Sequence, residues 1–429
     1  MTLPMTLSGI IFILSLYLIF SEKLNRTITS MAGAAVMIGA GLAFNFYSEE
    51  QAVEAIDFNT VGLLLGMMIL VALLEPTGFF QYLAIWATRW SGGNQMRLLI
   101  TLGTLTTLLS MVLDNVTTVV LIAPVTILIS EILGINATPL LMAEALLSNT
   151  GGVSTLVGDP PNVLIASAAD FSFNDFLTHS LPVVLVAWLV ALALLSYLFR
   201  ADLAKKPTNI KAILDLNPSE ALTDRVTVGK VLIVLCATMI LFFMEEILHT
   251  SPSFIALAAA SVAVVWVQPD MAEMFKRIEW SVLIFFCALF IMVGGLKSSG
   301  LLHSLVEVLT WGRTVNPAMF GVLLIWVIAI LSALVDNVPI TIALIPVIQD
   351  LELQGINVTP LWWALAFGAG FGGNATIIGS TANIVVATLS EKTHNPITSP
   401  LWNKRGLPVM IATCFVASVL YTLAFPLFQ

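Results

Sequence analysis

Long apolar runs alternate with short polar breaks along almost the whole chain, and the run length sets the prediction. A helix needs about 20 apolar residues to cross a bilayer, and roughly ten to twelve segments approach that length on the same criterion. Leu7 to Phe20 and Ile28 to Phe46 read as the first two spans. Val61 to Leu74, Leu98 to Leu113, Val116 to Leu133 and Leu181 to Phe199 follow. Past a polar stretch come Val231 to Met244, Phe254 to Val267, Trp280 to Val293, Ala318 to Val335 and Leu407 to Leu427. No basic residues precede Leu7 and no small-residue cleavage site follows Phe20, so that run is expected to be a membrane helix and not a signal peptide.

One stretch breaks the pattern. Ser148 to Ile165, SNTGGVSTLVGDPPNVLI, crowds glycines, prolines, asparagines and an aspartate into an apolar neighbourhood. Irregular backbone at membrane depth is tolerated only where protein or water satisfies its polar groups. A broken intramembrane helix is therefore predicted, of the kind that forms transport sites.

The pattern also repeats. LDNVTTVVLIAPV at Leu113 answers LVDNVPITIALIPV at Leu334, with Asp114 matching Asp336 and Asn115 matching Asn337 at an offset of 222. GINATP at Gly134 answers GINVTP at Gly355, and that register of 221 carries the broken stretch onto the second half, with Gly151 to Ile165 over Gly372 to Val386. Thr155 then matches Thr376, Asn162 matches Asn383, and Asp159 meets Ser380. Three parts are expected: a first half over 1–199 with its hairpin at about 139–170, a linker over 200–230, and a second half over 231–429 with its hairpin at about 360–390.

Charge adds orientation. Lys23 and Arg26, Arg89 and Arg97, Lys276 and Arg277, and the linker lysines Lys205, Lys206 and Lys211 are placed on the cytoplasmic side by the positive-inside rule. On that reading Leu98 to Leu113 starts inside and Ala318 to Val335 starts outside, so the repeats are inverted. The fold class is an all-α polytopic membrane protein, built as two inverted-topology repeats with re-entrant hairpins at the midplane. Its place is the plasma (inner) membrane.

Composition agrees: 58% of the 429 residues are hydrophobic and 10% charged, against roughly 25% charged in soluble domains. A basic tract for nucleic acid is lacking, as is a phosphate-binding GxxxxGK[ST] loop, so the chain is not expected to be an enzyme or an ATPase. Cys236, Cys287 and Cys414 are far apart, and His179, His249, His303 and His394 are scattered. No metal site or cofactor is expected, with protons, or alternatively sodium, as the coupling ion.

Intramembrane carboxylates are costly and mark ion pathways. Asp114 and Asp336, with Asn115 and Asn337, are candidates for ion coupling or for helix capping, and Glu144 and Asp159 join them as acids without an acidic counterpart in the other half. Glu75 and Lys297 occupy equivalent positions, where they would balance each other or sit in aqueous turns. The substrate candidates are Ser148, Asn149, Thr150, Thr155, Asn162, Asn374, Thr376, Ser380, Thr381 and Asn383. They supply neutral donors and acceptors with no arginine among them, which suits a small neutral solute, an oxyanion or an alkali cation.

LDNVTTVVLIAPVTI followed by LLSNTGGVSTLVGDPPNVLIAS resembles the arsenite permease and P-protein branch of the ion transporter superfamily. The GDPPN at Gly158 to Asn162 is the most specific element. The resemblance implies a scaffold domain and a transport domain, whose hairpin tips meet around the substrate at Ser148-Asn149-Thr150 and Gly373-Asn374-Ala375-Thr376. It further implies a secondary transporter exporting arsenite or antimonite in exchange for protons. Alternatives are a sodium/proton antiporter, a sodium-coupled anion carrier and the membrane subunit of an ATPase-driven pump. The implied partners are membrane lipid and a small inorganic solute, with a homodimer and a soluble ATPase as further candidates.

Overall fold

The computed structural model describes residues 2–20, 24–205, 207–208, 217–302 and 316–429. Lys23, Lys206, Lys211 and His303 fall outside them. The described residues are helical, without strand. The principal helices of the first half are α1 (Leu3–Phe20), α2 (Arg26–Ala43), α3 (Phe58–Leu74), α4 (Phe79–Ser91), α5 (Gln95–Ser110), α6 (Asn115–Leu133), α7 (Thr138–Gly152), α8 (Pro160–Ala169) and α9 (Leu181–Leu198). Those of the second half are α10 (Arg225–Phe243), α11 (Pro252–Val267), α12 (Trp280–Ser298), α13 (Pro317–Leu334), α14 (Asn337–Leu353), α15 (Thr359–Gly372), α16 (Thr381–Ser390) and α17 (Ser399–Leu423). Eight described helical segments are long and apolar enough to span a membrane. Ile13, Tyr17, Leu189, Val265 and Phe415 point large apolar side chains outward, as lipid-facing surfaces require. The chain is a multi-pass membrane protein.

Helix starts carry local signatures. Asn25, Asn94, Ser251 and Asn316 each accept a backbone N–H at the first turn of the helix that follows, satisfying donors that a helix leaves orphaned. Starts also repeat in register: Arg225 follows Leu3 by 222, Trp280 follows Phe58 by 222, and Thr381 follows Pro160 by 221. Helix α10 thus starts at Arg225, inside the 200–230 stretch that polarity alone assigns to a linker. Asp224 caps that helix through the amides of Val226 and Thr227, and Arg225 and Lys230 lie on it.

The halves are interlocked. The helix leaving each hairpin packs on the other half, α8 against α14 and α16 against α6. In the same exchanged way, α3 packs on α11 and α2 on α12. Helices α1–α3 and α10–α12 pack chiefly among themselves, while α5–α9 and α13–α17 gather around the hairpins. Two bodies result.

One clasp between them lies at the turn after α8. Phe173 stacks on Phe242 and meets Phe243 edge-on. Its backbone N–H donates to Glu245, and the Ser172 hydroxyl donates to Glu246 at 2.7 Å. Burial pushes Glu245 up to about 7, with repulsion from Glu246 and Asp175 adding to it. Between the ordinary value of 4.5 and about 7 the folded protein holds a proton that the unfolded chain has released. Glu245 therefore makes stability fall as pH rises through that window and stay level above it. Glu245→Gln is expected to flatten this slope, so that the variant melts above the parent at pH 8 and close to it at pH 5. An identical pH profile in the two proteins would refute the assignment.

Candidate functional site

Each hairpin is held open by its own side chains. In the first, Asn162 Nδ2 lies within hydrogen-bond reach of the carbonyls of Gly152 (3.1 Å), Val153 (3.1 Å) and Thr155 (2.8 Å). The Thr155 hydroxyl donates to Met111 O at 2.6 Å and accepts from Gly158 N at 3.1 Å. In the second, Asn383 Nδ2 reaches Gly373 O and Thr376 O at 2.8 and 2.9 Å. The Thr376 hydroxyl donates to Ala333 O at 2.5 Å and accepts from Gly379 N at 3.1 Å. These four residues, candidates for solute contact by composition, thus bind the unwound backbone that a membrane interior would otherwise leave unsatisfied.

Between the hairpins lies an amide platform. Asn149 Nδ2 donates to Asn374 Oδ1 at 3.1 Å and to Asn383 Oδ1 at 2.8 Å, both from the opposite half. Its Oδ1 accepts from Asn115 Nδ2 and from the Ser380 hydroxyl, each at 3.0 Å. Asn374 Nδ2 donates to the Thr150 hydroxyl at 3.1 Å, and the Trp402 indole donates to Asn374 O at 3.1 Å. Ser148 donates to Asn115 O at 3.3 Å.

Next to the platform is a cavity of about 40 Å³, room for about three waters. Four carboxylates line it, Asp114, Asp159, Glu279 and Asp336, against one guanidinium, Arg26. Asn115, Asn337, Ser380 and Thr381 complete the polar part of the wall. Asp159 is at the centre. Asn115 Nδ2 reaches its Oδ1 at 3.3 Å, and Asn337 Nδ2 reaches Oδ1 and Oδ2 at 3.3 and 3.1 Å. Each half thus supplies one amide to a carboxylate that only the first half contains.

Asp114 and Asp336 cap the helices that follow them and also line the cavity. Asp114 accepts Thr117 N at 2.8 Å as a helix cap, Asp336 accepts Val338 N at 3.5 Å, and both face the cavity. Glu144 does not reach it. That residue lies on α7, where Oε1 accepts the Thr126 hydroxyl at 2.5 Å and Oε2 finds no hydrogen-bond partner among the described residues. Glu75 and Lys297 do not balance each other either, because Glu75 pairs with Arg277 at 3.0 Å.

Two cavity residues escape the sequence reading. Arg26, counted there as a loop charge, opens α2 and turns inward, donating to Thr381 Oγ1 at 2.6 Å and Asp336 Oδ2 at 3.3 Å. The site therefore does contain an arginine. Glu279 immediately precedes Trp280 and matches Asp57 at the offset of 222, the one signal that could have singled it out. Among the described residues no group of three metal-ligating side chains forms. Cys236 is exposed, Cys414 is buried, and none of the three cysteines faces the cavity.

Residues 16–368 match the CitMHS family, described as citrate transporters. The chain belongs to this family. As a CitMHS protein it is similar to an uncharacterized transporter of Mycobacterium tuberculosis (strain CDC 1551 / Oshkosh), with 38% identity over 96% of each chain. It is 30% identical to the P protein of Homo sapiens over 93% of this chain and 57% of that one. Among solved structures, the YdaH transporter of Alcanivorax borkumensis, described as having an unusual topology, superposes with a TM-score of 0.59 at 16% identity. That alignment covers 99% of this chain and 98% of the other, so the fold of this CitMHS member is shared end to end. The chain is a transporter of the CitMHS family and not an enzyme.

Proposed function

We propose that this chain is a proton-coupled antiporter in which protons entering at Asp159 drive out a small monovalent cation, sodium first. The observation that carries this reading is the cavity lining, four carboxylates against one guanidinium. Ionised carboxylates in a poorly hydrated site attract a cation far more strongly than they would in water, and competition of proton and cation for the same oxygens is what exchange requires. A bare tricarboxylate such as citrate meets repulsion from the same lining. In this conformation it also exceeds a cavity of about 40 Å³.

A second reading is export of arsenite or antimonite as the neutral trihydroxide. The platform of Asn149, Asn374, Thr150 and Ser380 favours it, since these groups both donate and accept without net charge. Neither solute calls on a cysteine.

Everted vesicles distinguish the readings. With an acid interior, sodium is expected to collapse the pH gradient, and equally so after Cys236, Cys287 and Cys414 are all changed to Ser. Arsenite accumulation without a sodium requirement would establish the second reading in place of the first. Citrate movement with neither of these would refute both. Transport that persists in vesicles depleted of ATP excludes a soluble ATPase partner.

A further inference from the structure

A second cavity, of about 270 Å³, lies on the other side of Arg26, lined also by Ile19, Leu24, Leu334, Ile378 and Ile384. Arg26, Asp336 and Thr381 belong to the walls of both cavities. They are joined in a closed triangle: Arg26 Nη1 donates to Thr381 Oγ1 at 2.6 Å and to Asp336 Oδ2 at 3.3 Å, and Thr381 Oγ1 reaches the same Oδ2 at 2.8 Å. The Arg26 guanidinium also stands 5.6 Å from the centroid of Phe285, a contact that holds a cation over a ring face.

We propose that Arg26 is a gate, an ion-paired plug between the outer cavity and the small acidic one, which must leave Asp336 before a solute can pass. Arginine keeps its charge at any accessible pH, so the closed gate acts as a built-in cation at Asp336. A proton or metal cation arriving at Asp336 removes the charge that holds Arg26 in place. The gate spans the two bodies, because Arg26 lies on α2 while Asp336 and Thr381 lie at the starts of α14 and α16. Any displacement of one body along the other therefore stretches the triangle. The device is one-sided: Asp114, the repeat equivalent of Asp336, takes the Thr117 amide and hydroxyl at 2.8 and 2.5 Å in place of a basic group.

The inference rests on reading the small cavity as the transport site, and its test does not depend on which solute moves. Val338 lines the small cavity and not the outer one. With the three native cysteines changed to Ser, Val338→Cys is exposed in vesicles to a membrane-impermeant thiol reagent from either side. Labelling is expected to be slow with Arg26 present and at least about tenfold faster after Arg26→Gln, from one side only. That factor corresponds to a 1.4 kcal/mol shift of the closed state. Arg26→Lys, which keeps the charge without the planar fork, is expected to fall between the two. Asp336→Asn breaks the same pair from its other end and should reproduce the fast labelling, which covers a failure of the Arg26 variant to fold. Equal labelling rates in the parent, Arg26→Gln and Asp336→Asn overturn the gate. Faster labelling alongside a failed sodium assay leaves the gate standing and removes only the solute assignment.

Discussion

Asp159→Asn is expected to abolish proton-coupled transport, with a loss of at least about a hundredfold, the scale of removing a group that takes the proton. The substitution is close to isosteric, so the cavity keeps its shape. It removes the one titratable group that both Asn115 and Asn337 address. One amide oxygen can still accept from one of these neighbours, while the new N–H group faces another donor. The stability cost of that mismatch is about 1–3 kcal/mol, enough to lower the melting point while leaving the protein folded. The diagnostic result is retained solute binding, read by counterflow without a pH gradient, together with lost proton movement. Transport within twofold of the parent would instead make Asp159 a structural turn residue.

Gly158→Ala is expected to do more damage than its size implies, this time to folding. A Cβ on Gly158 would lie 2.6 Å from the carbonyl oxygens of both Gly152 and Ser110, and 2.9 Å from the Gly152 Cα. All three are backbone atoms in tightly packed elements, so none can swing aside as a flexible side chain could. Overpacking of this kind costs typically 1–3 kcal/mol, and here it acts on the residue next to Asp159. Gly379→Ala should behave alike, since its Cβ would meet Gly373 O at 2.6 Å. Gly39→Ala, where nothing lies within 4 Å, is the control and should be neutral or slightly stabilising. Yield of monodisperse protein and melting temperature in detergent measure all three. If Gly158→Ala matches Gly39→Ala, the close backbone approach of Gly158 to Gly152 and Ser110 is not what holds the tip.

The helices and their duplication were legible because both signals are local: apolar runs mark spans, and rare polar pairs such as Asp114-Asn115 keep register with Asp336-Asn337. The exchange of α8 and α16 between halves was not legible, since an apolar helix gives no sign of which other helix it will meet. The site divides in the same way. Asp159 stood out as an acid inside a broken helix, and it does face the cavity. Glu144 looked equivalent by composition, yet its helix turns it toward Thr126. Threonine and asparagine side chains serve backbone and solute with the same atoms, so Thr155, Asn162, Thr376 and Asn383 could not be sorted before the turns they bind were seen. Arg26 and Glu279 sit at the first residue of a span or just before it, where charge ordinarily marks the water boundary. Only the inward turn of those helix starts converts them into cavity residues.

The crossing of the two halves also sets a timetable for biogenesis. Asn337, which completes the shell of Asp159, is synthesised 178 residues after it, a gap of roughly ten to thirty-five seconds at ribosomal speed. Throughout that interval the first hairpin is already made, while α14 and the asparagines Asn374 and Asn383 do not yet exist. Until then Asp159 lacks one of the two amides that address it in the finished protein. The shell of Asp159 therefore closes late, when residues of the last third of the chain meet a hairpin made in its first half.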